Sequence, residues 1–533
     1  MPFPPARGDD PTSDGSRGFE FLTKKHEIVI FSSTAIALYG YDQGMMSLIN
    51  TNRSYLSTMA ITGDSPIVGI IVSVYYLGCT IGAVLASYWA DKKGRKPSIS
   101  ACLVTSIVGN LLMFVAGLSP QGSSSWGGAA IAFMIAGRVI LGFGVGGIDA
   151  TIPIYSAELT RDESRGRALA QEFQMNILGL LVAFSINLGV TIALGKDNQW
   201  AWRIPIVVMQ AFPILLISSI SRLPESPRWF VSHGRGDDAM EALTALFDES
   251  KARETLDELI QAQADESDDR LGYIDMVLPR GSQFHPTILT AMGQINQALT
   301  GYGAVSVYGP QIFELLGFGV RSAELVTLGN YVSYFFMMSV AWITIDSLGR
   351  RKLMVWGSAG LSICFALLTI CGGLSLDVAH VSVLGVEIFG SIVLFIATAI
   401  FGICWLATVW LIPTEIYPNA ARALGSSASV IIWGLANFAI TLLTPIMFNN
   451  LRYWLFLVFT ATNAIAGWWT WSYSPETGGR SFEENQEFFI SAAESDSWVV
   501  KNVDGGKFLY MPRKDGNVES GKTDQTEATP LLA

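Results

Sequence analysis

Apolar residues come along this chain in long unbroken runs, separated by short polar and often charged segments. Twelve such runs cover 28–48, 67–89, 98–118, 129–153, 169–194, 203–221, 287–313, 324–345, 353–373, 385–412, 426–447 and 452–473. Most approach or exceed the ~20 residues a helix needs to cross a bilayer core. The runs are continuous rather than alternating, which excludes a β-barrel. Lipid cannot satisfy backbone polar groups, so every run is predicted to be helical. The fold class is therefore an all-α membrane protein with 12 transmembrane helices. The charged segment 222–286, helix-prone from Asp237 to Asp265, divides the spans into six and six. The organisation read from this is a tail over 1–26, a six-helix bundle over 27–221, a helical linker over 222–286, a second bundle over 287–473 and a polar tail over 474–533. From about residue 502 the tail has the composition of a disordered segment.

Lysine and arginine set the orientation. Lys24 and Lys25 precede span 1, Lys92, Lys93, Arg95 and Lys96 lie between spans 2 and 3, Arg161, Arg165 and Arg167 follow span 4, and Arg350, Arg351 and Lys352 lie between spans 8 and 9. The alternate loops 119–128 and 374–384 have none. Both termini are thus expected in the cytoplasm. Asn52-Arg-Ser54 then falls in the first outside loop as a glycan acceptor sequence.

An internal repeat supports two similar halves. Asp91-Lys-Lys-Gly94-Arg95-Lys96 follows span 2, and Asp346-Ser-Leu-Gly349-Arg350-Arg351 follows span 8, 255 residues later. Glu158 and Arg165 stand seven apart after span 4; Glu415 and Arg422 repeat that spacing after span 10, offset by 257. Carboxylates beside arginines at helix ends can form inter-helix ion pairs that resist rearrangement once partly desolvated. If such pairs form only when the inner side is closed, they act as a gate. The bland alternative is ordinary positive-inside anchoring.

Composition narrows the function classes. Only 15% of residues are charged, against about 25% in a soluble domain. The formal charge of -11 resides mostly in the polar ends and the central loop, so it says little about partners. Cys79, Cys102, Cys364, Cys371 and Cys404 all sit in apolar runs without a CxxC pair, which argues against a disulfide framework or zinc site. Met1 to Gly18 is polar and lacks the apolar stretch of a signal peptide, so span 1 would serve as the insertion signal. His26, His233, His285 and His380 lie outside the spans or at their edges, and HExxH, GxSxG and P-loop motifs are missing. No enzyme activity, cofactor, metal or nucleic-acid partner is expected. Glycines 142, 144 and 146 read as close helix packing rather than a nucleotide cradle.

Ionisable residues inside spans are functional candidates. Asp42 lies about 22 Å into span 1 from the inner side and Arg138 about 14 Å into span 4 from the outer side, at ~1.5 Å per residue. Opposite charges at one depth on different helices point to a pair, with a static structural bridge as the alternative. Asp149, in Gly146-Gly147-Ile148-Asp149-Ala150, is a further acid near the inner end of span 4, a place compatible with simple hydration.

Over roughly residues 25–490 the chain resembles the sugar porter family of the major facilitator superfamily, in its fungal-type members above all. The motifs are Gly40-Tyr41-Asp42, the two Asp-Gly-Arg loops, Gly137-Arg138 with its glycines, Pro153…Glu158…Arg165-Gly166, Pro224-Glu225-Ser226-Pro227-Arg228 and Pro475-Glu476-Thr477-Gly478. The resemblance implies two pseudo-symmetric bundles alternating access to a central site, with protons and a small solute as partners. By that resemblance Asp42 accepts the proton beside Arg138, and Asp91, Gly94, Arg95, Glu158, Arg165, Glu225, Arg228, Asp346, Arg350, Arg351, Glu415, Arg422 and Glu476 form the cytoplasmic gate. Gln294, Gln297, Trp410 and Asn437 match the family's sugar-binding positions, and Phe173 stands where another glutamine is usual, with Gln174 beside it.

Ala298 and Gly303 replace two further amides, the Pro-x-Pro hinge before Trp410 is missing, and the family usually has a small or apolar residue where Asp149 stands. The implied solute is a monosaccharide, polyol or sugar acid carried by proton symport, with export of a small secondary metabolite as the alternative and a nutrient sensor as a lesser one. A monomer is expected. Glu527 four residues before Leu531-Leu532 resembles a vacuolar or endosomal sorting signal, while the default is the plasma membrane.

Overall fold

The computed structural model describes residues 24–63, 65–118, 127–159, 165–265, 276, 283–377 and 383–512. Among these residues all regular structure is helical. Helices occupy all twelve apolar runs. Nine helical stretches of the described residues are long and apolar enough to cross a membrane. One of them, Leu424–Tyr473, is spans 11 and 12 read together. Two runs are helical but lie outside that count: span 1, Lys24–Ile49, which carries polar residues, and span 7, which is broken. The double leucine at 531–532 and the side chains of Arg165 and Arg422 lie outside the described residues.

The outer surface of the bundle confirms what surrounds it. Ile343 is 74% exposed and Trp356 68%. Apolar exposure on this scale is unfavourable in water and natural against lipid. The chain is a multi-pass membrane protein.

The breaks in the helices have local causes. Span 7 runs as Phe284–Leu299, Tyr302–Val307 and Gly309–Leu315. It breaks first at Gly301, whose φ of +82° suits glycine and few other residues. Span 10 runs as Val383–Phe401, a π-helical turn over Gly402–Leu406 and then Ala407–Ile416. The turn stands directly before the place where the family's prolines are missing. A π-helical turn leaves carbonyls without their usual helical donors. Those of Trp405 and Leu406 accept from Gln297 Nε2 at 3.2 and 3.1 Å.

Within the first half, span 4 (Gly127–Leu159) packs on spans 2 and 3 (Pro66–Lys93 and Arg95–Val115), and span 1 packs on span 5 (Arg165–Leu194). Side chains at Gly142 or Gly146 would collide with the backbone of Tyr75 and Cys79, and one at Gly144 with that of Cys102. These glycines therefore serve packing, as their setting in an apolar span predicts. Across the halves, span 2 packs on span 11 (Asn419–Leu451), and span 5 on span 8 (Val320–Leu348).

The segment between the halves folds into helices Pro227–Ser232, Gly236–Thr244 and Glu249–Asp265. The last segment differs from expectation. Helix Phe482–Glu494 starts with a capping box between Ser481 and Glu484, and residues 503–509 form a tight turn, left-handed at Asp504, Gly505 and Gly506, whose Phe508 is fully buried. Burial of Val503 and Phe508 is what orders a stretch whose composition reads as disordered. The ring of His285, at the start of span 7, packs on Trp498 from this segment.

Candidate functional site

Three layers of polar contact stack along the bundle between its two ends. The first lies on the face that carries both ends of the described chain, called here the terminal face. Arg95 grips Glu158 with both arms of its guanidinium, Nε and Nη2, each at 3.1 Å, and reaches Asp91 with Nη1 at 2.9 Å. Glu225 caps the same helix by accepting from the backbone N–H of Arg95 and Lys96 at 3.0 and 3.1 Å. Gly94 makes this approach possible. Its φ is +102°, and any Cβ there would stand 2.5 Å from Glu225 Oε2.

The second half repeats the arrangement group for group. Arg350 Nη2 meets Glu415 at 2.6 Å and Asp346 at 3.0 Å, while Glu476 accepts from the backbone N–H of Arg350 and Arg351 at 2.8 and 3.2 Å. Asp346 also crosses to the first half, accepting from the Arg167 backbone N–H at 3.0 Å. The hydroxyls of Ser87 and Ser427 meet across the same seam. The terminal face is closed. Arg228 lies in the short helix Pro227–Ser232 beside this layer.

The middle layer holds the intramembrane charges. Asp42 and Arg138 meet at 2.5 Å with both side chains at most 2% exposed. Arg138 also donates to the carbonyls of Ile71 and Val72 at 3.3 and 3.1 Å and lies 4.6 Å above the Tyr75 ring. Every face of the guanidinium is thus occupied, which a charge removed from water requires.

The family's substrate positions in the second half lie on spans 7, 10 and 11. Gln294 Nε2 donates to Ser429 Oγ at 2.6 Å, while its buried Oε1 has no hydrogen-bond partner. Asn437 Nδ2 donates to the Trp433 carbonyl at 2.9 Å. A Cβ on Gly303 would stand 3.2 Å from Asn437 Oδ1, so the amide that Gly303 replaces would have bordered Asn437. Trp410 lies between Phe173 and Trp433, at ring distances of 5.7 and 5.8 Å. Gln174 is turned away from these groups. Its Nε2 crosses to span 8, donating to Phe335 O at 3.0 Å and Ser339 Oγ at 2.9 Å, so in this form it ties the halves together.

The third layer, on the opposite face, carries no sequence motif. Lys196, in the loop after span 5, meets Glu324 of span 8 at 2.5 Å, and Arg321 meets the other oxygen at 2.9 Å. Glu324 is 1% exposed. Ser47 and Tyr331 also meet across the halves, at 3.4 Å. Both faces are therefore closed in this form. Only the distance between Lys196 and Glu324 in the chain hides the pair from a sequence reading.

Asn52 departs from its expected role. It is 3% exposed, caps helix Arg53–Thr58 by accepting from Tyr55 N at 3.1 Å, and its Nδ2 is enclosed without a partner. The folded chain offers that nitrogen no room for a glycan.

Lys196→Ala should open the opposite face more often. Lys196 is 23% exposed, so the pair is expected to contribute about 1 kcal/mol, or roughly a fivefold shift in population. A cysteine at the buried Ser47 position should react with an impermeant maleimide about fivefold faster in that background. Equal rates would show that the pair does not hold the face shut.

Comparison with known proteins follows the same lines. The family model described as "Sugar (and other) transporter" matches residues 28–489. The chain is 29% identical over 470 residues to the probable metabolite transport protein CsbC of Bacillus subtilis, covering 87% of this chain and 94% of that one. It is 29% identical over 480 residues to the MFS-type transporter oryC of Aspergillus oryzae, covering 87% and 85%. The solved structure of the major facilitator superfamily proton:xylose symporter XylE, bound to 6-bromo-6-deoxy-D-glucose, superposes with a TM-score of 0.73 at 22% identity, covering 87% of this chain and 99% of that one. With the matched region running from span 1 through span 12 and beyond, the chain belongs to the sugar (and other) transporter family and is a membrane transporter of the major facilitator fold.

Proposed function

We propose that this chain is a fungal-type, monomeric sugar porter that moves a sugar or sugar-like solute, a monosaccharide, polyol or sugar acid, together with a proton by alternating access. The observation that carries this reading is the enclosed Asp42–Arg138 pair. A proton and the Arg138 guanidinium compete for the same carboxylate. When the pair is made, as here, Asp42 has no need of a proton. When the halves move and the pair parts, a bare carboxylate in lipid-like surroundings is costly, and binding a proton relieves that cost. Proton binding thereby becomes linked to which face is open. XylE, a proton:xylose symporter, is a similar protein in which such coupling is named.

The terminal face is read as cytoplasmic, because the lysines and arginines of the short loops gather there. The plasma membrane is the expected location. The central site supports a solute with hydroxyl groups and apolar faces. Gln294, Gln297 and Asn437 supply amides, and Trp410 supplies a flat surface for C–H groups. Phe173 against Trp410 makes this site less polar than the family pattern. That contact favours one second reading, export of a small, less polar metabolite.

Uptake of labelled hexoses, pentoses, polyols and sugar acids in transporter-null cells, with and without a proton uncoupler, tests the proposal. Concentrative uptake of at least one of them that collapses with the uncoupler is expected. Uptake of none, with a metabolite retained inside cells lacking the protein, would favour export instead.

A further inference from the structure

The family match stops at residue 489, yet residues 498–510 beyond it are seated on the second half as a strap. Val500, Val503 and Phe508 are all 0% exposed. The shape of the strap follows from Asp504-Gly505-Gly506, whose φ values of +47°, +63° and +84° reverse the chain and bring Phe508 back onto the bundle. Trp498 lies against the His285 ring at the start of span 7, and Phe508 meets Phe488 at 5.2 Å.

The strap is bound at the motif that caps span 9. The Phe508 carbonyl accepts from the Glu476 backbone N–H at 2.8 Å, and the Leu509 carbonyl accepts from Arg351 Nη1 at 3.2 Å. Arg480 Nη2 donates to the carbonyls of Lys507 and Tyr510, each at 2.9 Å. At the end of span 12, Val500 N–H donates to the Ser472 carbonyl at 2.9 Å, and Lys501 Nζ lies 4.3 Å over the Trp471 ring. Arg351 is 8% exposed, and its guanidinium is satisfied by the carbonyls of Leu509 and Trp471. Lifting the strap takes one of those acceptors from a buried cation, which is costly.

These anchors bear on the gate. Thr477 Oγ1 donates to Glu415 Oε2 at 2.5 Å, while Asn485 Nδ2 and Gln486 Nε2 hold the carbonyls of Glu415 and Ile416 at 3.4 and 2.6 Å. Residues 476–486 thus hold the terminal end of span 10, and the strap holds residues 476–486. Span 10 is also the helix with the π-helical turn at Gly402–Leu406, and such turns are places where helices bend. Beyond that turn, Ala407–Ile416 carries Glu415, the partner of Arg350. A swing of this segment parts Glu415 from Arg350. We infer that residues 498–510 are an autoinhibitory strap: while seated they keep the end of span 10 in its closed position, and the terminal face opens only when they lift. This inference rests on the alternating-access reading and adds a brake to it.

The test tethers the strap in the full chain. Lys501 is exposed and Trp471 is 44% exposed. Lys501→Cys with Trp471→Cys puts two thiols where ammonium and indole now meet. A short bis-methanethiosulfonate reagent bridges them and reductant releases them, so each preparation is its own control. Hydrogen–deuterium exchange then reads both faces. Bridging should slow exchange of residues 424–430, around Ser427 on the terminal side, and leave residues 43–50 on the opposite side unchanged or faster. The expected change is roughly tenfold, the scale of one hydrogen bond to a charged group, and reductant should reverse it. A chain ending at Ser497 should exchange over 424–430 faster by roughly the same factor, and a chain ending at Pro512 at the intact rate. Equal exchange with and without the bridge would mean that the strap stays seated in both forms, which overturns the inference and leaves alternating access standing. Slowing on both faces alike overturns the one-sided brake and counts against alternating access as well. Should the shorter chain fail to fold, the bridged comparison, which needs no truncation, decides alone.

Discussion

Asp42→Asn should abolish accumulation of solute against its gradient while leaving part of the exchange of solute for solute. The substitution keeps the shape of the side chain and an oxygen that can accept from Arg138, but it removes the charge. Arg138 is 1% exposed and meets Asp42 at 2.5 Å. Removing one member of a buried pair costs about 3–5 kcal/mol, and the retained acceptor should hold the loss near the lower end. A folded protein is therefore expected. What it cannot do is take up and release a proton, so downhill exchange persists and uphill transport stops. Reconstituted vesicles measure both: counterflow reports exchange, and an imposed pH gradient reports accumulation. Full accumulation by the variant would remove Asp42 from the mechanism.

The second large effect is expected at Arg350. One nitrogen of its guanidinium reaches both Glu415 and Asp346, and another donates to the Ile345 carbonyl at 2.9 Å. Arg350→Ala leaves two carboxylates facing each other without their shared cation. The closed terminal face loses its anchor in the second half, and the open form, where water can reach those acids, is favoured. The expected loss is about 3 kcal/mol, more than a hundredfold in the balance of closed and open forms. A cysteine at the buried Ser427 position should then react from the terminal face at a correspondingly higher rate, and transport should fall steeply. Arg350→Lys keeps the charge but loses the fork, and should lie between the two. Unchanged labelling in Arg350→Ala would reduce the network to ordinary anchoring.

Much of this was legible in the chain itself. The twelve helices follow from runs of apolar residues, because a membrane leaves the backbone no other choice. The two charge clusters follow from the repeated spacing of acid, glycine and arginine, but which carboxylate each arginine meets, Glu158 for Arg95 and Glu415 for Arg350, emerges only in the fold. Asp42 and Arg138 follow from their similar depth in the outer half of the membrane. Contacts between elements distant in sequence were not legible. Nothing local announces that Lys196 faces Glu324, that Gln174 turns to span 8, or that Trp433 gathers Tyr39 and Tyr76 around it. The missing prolines of span 10 announce an altered hinge, but not that a π-helical turn at Gly402–Leu406 takes its place with Gln297 satisfying its carbonyls. Asn52 matched a glycan signal in composition, while burial decided its role.

The most direct measurement is a pair of distances in one preparation. One spin-label pair, at the exposed positions Lys92 and Lys352, spans the halves on the terminal face; the other, at the exposed positions Arg53 and Val320, spans them on the opposite face. Two bundles rocking about a central site predict that conditions which lengthen one distance shorten the other, and that Asp42→Asn weakens the response of both to pH. Two distances that lengthen together, or that ignore each other, would contradict alternating access in this protein.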